Sequence, residues 1–188
     1  MPAAQGQCPL DAAQLEATIG RLAQDIASGL RPGEAFVLVG IRSRGLPLAE
    51  RLAPLLREIT GGPAPVGALD ITLYRDDLTE KAGTPIVRPT EIPFTLKDRT
   101  VVLVDDVLYT GRTVRAALDA LLDHGRPTRV LLAILVDRGG RELPIQADFT
   151  GLAVKVEDHE RVSVRIQELD GEDGVHIERI EGRDLHGG

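Results

Sequence analysis

The run Thr100–Thr113, TVVLVDDVLYTGRT, constrains the fold more than any other part of the chain. Its first five residues are too short for a buried helix and too apolar for a surface segment. They read as a strand covered on both faces. The strand runs straight into two carboxylates, Asp105 and Asp106, and then into a turn at Thr110-Gly111. Thr113–His124 follows as an amphipathic helix with Val114, Ala117, Leu118, Leu121 and Leu122 on one side, ended by Gly125 and Pro127. A doubly buried strand needs helices on both faces, which comes with parallel strands and right-handed crossovers.

The flanking sequence keeps the same rhythm. Leu15, Ile19, Leu22, Ile26 and Leu30 recur every three or four residues, so 11–29 reads as a helix capped by Asp11 and closed by Gly29. Ala35–Ile41 and Arg129–Val136 read as further buried strands. Leu46–Ile59 reads as a helix with Pro47 in its first turn, and Pro54 inside it is expected to kink or shorten it. Residues 61–65 are a linker, and Val66–Tyr74 returns to strand character. Residues 75–98 carry Pro85, Pro89 and Pro93 without a sustained period, and read as a long, flexible functional arm. Beyond Asp137 the rhythm breaks. Ala153–Glu157, Val162–Glu168 and Val175–Ile180 read as short, partly exposed strands, so 137–180 is expected to be an accessory β segment. The expected fold is α/β: a doubly wound, mostly parallel sheet with helices on both faces and a small β-rich hood. At 188 residues the chain suits a single domain, 1–188.

Composition removes several classes. Hydrophobic residues make up 43% and charged ones 27%, enough apolar surface to offset the ordering entropy of a globular core. No run of eighteen apolar residues offers a membrane span. The first ten residues lack the basic-then-apolar pattern of a secretory signal. Cys8, in a terminus expected to fray, is the one cysteine, so neither an internal disulfide nor a cysteine-built zinc site can form. Together these point to the reducing cytoplasm. A net charge of −7 gives no electrostatic reason for whole-surface nucleic-acid binding.

The chemistry sits where the strand 100–104 ends. In open parallel sheets ligands bind beyond the carboxyl ends of the strands. The start of a helix presents unpaired N–H groups and a partial positive charge, which suits a phosphate. Gly111 lets that phosphate approach the backbone, and the hydroxyls of Thr110 and Thr113 can donate to it. Asp105 and Asp106 can accept from the vicinal hydroxyls of a ribose or hold a cation. The ligand so described is a sugar phosphate. No Gly-Lys-Ser/Thr of a P-loop and no GxGxxG is present. Gly40-Ile41-Arg42-Ser43-Arg44-Gly45 makes a second turn between strand and helix, where backbone N–H groups and the Arg44 fork can take a diphosphate. His124, His159, His176 and His186 are not spaced as a metal cluster, and Ser43 has no neighbouring His for a hydrolase triad.

The segment 100–113 resembles the phosphoribosyl pyrophosphate (PRPP) signature of the type I phosphoribosyltransferases. With Asp70–Asp77 (DITLYRDD) and Val136–Ile145 (VDRGGRELPI), it resembles the PyrR family in particular, from about Leu10 to Ile180. That resemblance implies a uracil phosphoribosyltransferase that also binds UMP and pyr operon leader RNA to promote transcription attenuation, acting as a homodimer or larger homo-oligomer. It implies Mg²⁺ carried with PRPP near Asp105 and Asp106. It implies catalytic roles for Asp105, Asp106 and Arg44. It further implies a substrate surface of Ser43, Arg44, Arg88, Asp105, Asp106, Val107, Leu108, Tyr109, Thr110, Gly111, Arg112, Thr113, Arg138 and Val162. Arg75, Lys81 and Arg88 lie in an arm that closes over substrate in this family. Where purine-specific relatives carry an acid just before Thr-Gly, this chain has Tyr109, which favours a pyrimidine over a purine.

Arg138-Gly139-Gly140-Arg141 resembles the start of the family's base-binding hood, which reads uracil mostly with backbone groups. Two departures bear on it, since Gly140 stands where the family usually has His and Gln146 where it has a basic residue. Others bear on the RNA role: Leu152 stands where lysine is common. Residues 11–29 carry Asp11, Glu16 and Asp25 against Arg21, whereas this helix is basic in the family. Arg161, Arg165, Arg179 and Arg183 lie among acids. A purely metabolic uracil phosphoribosyltransferase without RNA binding is the alternative these residues favour.

Overall fold

The computed structural model describes residues 7–75 and 88–180. Five strands form one parallel sheet: β2 (Phe36–Ile41), β3 (Val66–Leu69), β4 (Thr100–Leu108), β5 (Arg129–Asp137) and β6 (Phe149–Ala153), in the order β3-β2-β4-β5-β6. Strand β4 lies at the centre, which its unbroken apolar run predicts.

Period-two alternation splits the core into two layers. Phe36, Leu38, Val102, Val104, Ala133 and Leu135 face the helices α1 (Ala12–Gly29) and α2 (Gly45–Thr60). Val37, Val39, Ile41, Val101, Leu103, Leu132 and Ile134 face α3 (Arg112–Asp123). A second, three-stranded antiparallel sheet, β1 (Gln7–Leu10), β8 (Gly174–Arg179) and β7 (Glu160–Arg165), is ordered β1-β8-β7. The doubly wound architecture and the β-rich hood match expectation.

Five local readings differ. Helix α2 continues through Pro54 to Thr60. Pro54 and Glu50 are both exposed, so the carbonyl deprived of its N–H partner can turn to water. Strand β3 stops at Leu69, because the Asp70 side chain accepts from the Thr72 N–H at 2.8 Å and starts a single 3₁₀ turn, Thr72–Tyr74. Strand β6 comes before the position read as Ala153–Glu157, and the stretch read as Val162–Glu168 breaks into β7 and a one-turn helix α4 (Gln167–Asp170). Cys8 lies inside β1, which is tied to β8 rather than frayed. Among the described residues no helix is long and apolar enough to cross a membrane.

Candidate active site

Strand β4 carries Asp105 and Asp106 to its carboxyl end, between β2 and β5. Asp105 is buried and Asp106 half-buried. The Asp106 N–H donates to Asp105 Oδ1, and the Val107 N–H to Asp106 Oδ1, each at 2.9 Å. Burial raises the Asp105 carboxyl well above the usual carboxylate range, and the neighbouring Asp106 charge raises it further. Burial also raises Asp106, while its hydrogen bonds and the nearby Arg44 guanidinium pull it back. A charged pair in this position calls for donors or a cation from a ligand. Adjacent carboxylates fit Mg²⁺, which keeps waters and takes one or two carboxylates beside substrate phosphate oxygens.

Gly111 occupies the position before α3 with φ +92°, and no side chain caps that helix. Its first N–H groups therefore face outward beside Thr110 and Thr113, although the Arg112 N–H also makes a long 3.3 Å contact to Thr110 Oγ1. Arg112 itself is exposed and donates through Nε to Glu142 Oε2 at 2.7 Å. Its side chain thus braces the following loop, while its backbone opens α3.

The loop between β2 and α2 meets the same end of the sheet. The Arg42–Ser43 peptide bond is cis. Arg44 Nη2 reaches Asp170 Oδ1 at 2.8 Å, and Arg88 Nη1 lies 3.3 Å from Ser43 Oγ. Asp70, ahead of the arm, reaches into it, accepting from the Arg88 N–H at 3.0 Å as well as from Thr72. Lys81, Asp76, Asp77 and Glu80 lie outside the described residues.

Tyr109 is 45% exposed beyond the acid pair. The Arg138 guanidinium stacks on its ring, 3.8 Å from the centroid. Gly140 lies so close that a Cβ there would come within 2.5 Å of the ring. Val107 and Val162 pack onto one apolar cluster, which brings β7 to the end of β4. Leu108 is buried, so it supports the site from below rather than facing it.

The structure thus brings Ser43, Arg44, Arg88, Asp105–Thr113 and Arg138 to one end of the parallel sheet, with Val162 behind them. Sequence reasoning gave no individual role to three residues, Asp137, Arg141 and Asp170. Asp137 ends β5 beside Leu108 and is held below the usual carboxylate range by Arg141 and the Gly139 N–H, against the effect of its burial. Arg141 also donates to the Tyr109 carbonyl at 3.0 Å and to Ile145 O at 2.9 Å, so it pins the Tyr109 turn to β5. The signal for Asp137 was present: it is the residue at the carboxyl end of the neighbouring parallel strand. Asp170, distant in sequence, gave none.

Residues 10–167 match the model of the phosphoribosyl transferase domain family. The bifunctional protein PyrR of Pelotomaculum thermopropionicum is 56% identical over 168 residues, covering 89% of this chain and 93% of the relative. Its counterpart in Thermus aquaticus is 54% identical over 173 residues, covering 92% and 96%. The chain belongs to the PyrR family.

The fold of this PyrR-family chain is also that of more distant phosphoribosyltransferases. The hypoxanthine phosphoribosyltransferase of Trypanosoma cruzi superposes with TM-score 0.68 at 18% identity, covering 92% of this chain and 96% of that one. The Staphylococcus aureus enzyme gives 0.63 at 16% identity, with 90% coverage of each. At such identities the likeness concerns architecture and leaves the choice of base open, which returns the question to Tyr109 and the loop 138–141.

Proposed function

We propose that this PyrR-family protein transfers the phosphoribosyl group of PRPP to uracil, giving UMP and pyrophosphate, and that UMP binding in the same site governs its binding to pyr operon leader RNA. The observation that carries the enzymatic reading is the pair of Asp105, buried, and Asp106, half-buried, set just ahead of the uncapped start of α3.

In this reading Asp105 and Asp106 accept from the ribose hydroxyls, and Thr110, Gly111, Arg112 and Thr113 hold the 5-phosphate with backbone and hydroxyl donors. Cleavage of the C1′–O bond builds positive charge on the ribose and negative charge on the departing pyrophosphate. Uracil N1 forms the new bond to C1′ and loses its proton. The Asp106 carboxylate favours the cationic ring, while Arg44 and the loop 42–45, with Arg88 from the arm 75–98, favour the leaving group. When bound with PRPP, Mg²⁺ neutralises part of the diphosphate charge. Much of the acceleration is positioning on rigid strand and helix ends. The hood, within 137–180, places Tyr109, Arg138 and the backbone of 138–141 around the base, and Val162 backs that wall. The protein works in the cytoplasm as a homodimer or larger homo-oligomer, the whole chain 1–188 acting as one domain. Formation of UMP from uracil, PRPP and Mg²⁺, undiminished by hypoxanthine or orotate, is the expected result. Preferential consumption of either competitor overturns the assignment of the base.

The regulatory half rests on family membership, and the charge distribution weakens it. Arg21 of α1 donates to the Gly151 carbonyl at 2.5 Å. Arg161 pairs with Glu178, and Arg165 with Glu172 and Glu178. Each of these guanidiniums already faces an acceptor of this chain, so the local positive charge offered to phosphates is reduced. Gel-shift titration against the chain's own operon leader is expected to show a complex that UMP strengthens and salt weakens. No UMP-enhanced complex at low salt leaves the purely metabolic enzyme.

A further inference from the structure

Arg44 stands at the head of α2, and its guanidinium is held from a distant part of the chain. Nη2 pairs with Asp170 Oδ1 at 2.8 Å, across 126 residues of sequence. Asp170 closes the one-turn helix α4, and its second oxygen accepts from the Ile166 N–H at 2.9 Å. The carboxylate is therefore fixed in direction before it meets the arginine. Two turns further along α2, Arg51 grips the same segment, pairing with Glu168 at 2.5 Å and Asp173 at 2.8 Å. The segment between β7 and β8 is thus fastened to α2 at two points. Only the first involves a residue of the site.

A guanidinium carries five N–H donors, and the Asp170 contact occupies Nη2. Arg44 Nε is buried without a hydrogen-bond partner. An arginine side chain loses considerable rotamer freedom when it is ordered by a ligand, and a contact that orders it beforehand removes that cost from binding. The arrangement therefore suits prior orientation: Nε is enclosed by the protein, Nη2 is held by Asp170, and the head of the side chain is kept at the start of α2.

We propose that Asp170 is a positioning residue for the transfer reaction, holding the Arg44 guanidinium where the diphosphate of PRPP arrives. The turn that joins β7 to β8 then sets the affinity for a substrate group it does not touch. The proposal rests on the reading of Arg44 as a diphosphate ligand. It differs from a competing arrangement in which Asp170 merely occupies Arg44 until substrate displaces it, because removal of the carboxylate then has the opposite sign.

The test is steady-state kinetics of the full chain in Asp170→Ala, Asp170→Asn, Glu168→Gln and Arg44→Gln, with thermal midpoints recorded for each. Asp170→Asn keeps an oxygen for the Ile166 N–H and guards against misfolding of the Ala variant. Loss of the carboxylate is expected to raise KM for PRPP about tenfold, with KM for uracil within about twofold and a fall in kcat smaller than that of Arg44→Gln, as for one lost ordering contact. Glu168→Gln loosens the same turn from Arg51 and is expected to leave KM for PRPP unchanged. An unchanged or lowered KM for PRPP in both Asp170 variants overturns the proposal. So does an equal rise in Glu168→Gln, which makes the effect one of packing. If Arg44→Gln raises KM for PRPP while the Asp170 variants do not, Asp170 alone is misassigned. If Arg44→Gln also has no effect, the diphosphate reading itself fails.

Discussion

Gly45 lies directly over the Val104 carbonyl, so close that a Cβ at Gly45 would sit 2.3 Å from that oxygen. The contact locks the 42–45 loop to the strand residue just before the acid pair, and so fixes the spacing between the proposed diphosphate and ribose subsites. Gly45→Ala must push the two apart. Overpacking of this kind costs about 1–3 kcal/mol. The expected result is a lowered thermal midpoint with a raised KM for PRPP. A stable variant with unchanged KM shows that the loop can shift without consequence for substrate.

Asp106→Asn keeps the shape of the strand end and removes one charge. Since Asp105 remains to accept from the Asp106 N–H, the fold is expected to persist, with a thermal midpoint near that of the parent. Turnover is expected to fall roughly 100-fold, the scale of losing one preorganised electrostatic partner of a developing charge. Near-normal turnover removes Asp106 from the role assigned to it.

What the residues announced and what they hid follow a physical division. The centre of the sheet was legible because TVVLV is buried on both faces and nothing but a parallel strand satisfies it. The junction of β4 and α3 that carries the candidate site was legible because strand, acids, glycine and hydroxyls are contiguous in sequence. Pro54 misled because propensity says nothing of which face of the helix the freed carbonyl lies on, and here Glu50 and Pro54 are both exposed. The strand 66–74 was overread because its apolar pattern continues past Asp70, whose side chain captures the Thr72 N–H and turns the chain. Asp170 and Arg141 were invisible because their partners, Arg44 and the Tyr109 carbonyl, lie 126 and 32 residues away, and only tertiary packing brings them together.

The base subsite yields a sharper test through Gly140. Its φ of +76° is one that a side chain resists, and a Cβ would intrude on the Tyr109 ring at 2.5 Å. Gly140→Ala is expected to displace the ring from its stack on Arg138 and raise KM for uracil severalfold, while KM for PRPP stays close to that of the parent. Both constants rising together assign the effect to the whole 138–141 loop rather than to the base wall.

Glu34 provides a prediction far from the site, at the opposite end of the sheet. Arg129 pairs with its carboxylate at 2.6 Å, the Thr100 hydroxyl donates to it at 2.5 Å, and the Arg31 N–H donates at 2.7 Å. The Arg129 hydrogen bond is the largest cause of a carboxyl pKa lowered from 4.5 to about 2, and burial opposes it only in part. A folded pKa below the unfolded one means stability that is complete above about 4.5 and is lost as pH falls toward about 2. Screening by nearby solvent reduces the contribution to roughly 1–2 kcal/mol. Glu34→Gln is therefore expected to lower the thermal midpoint at pH 7, and the gap between variant and parent is expected to narrow steadily below pH 4.5. A gap that stays constant across this range assigns the loss to packing of the side chain and not to its charge.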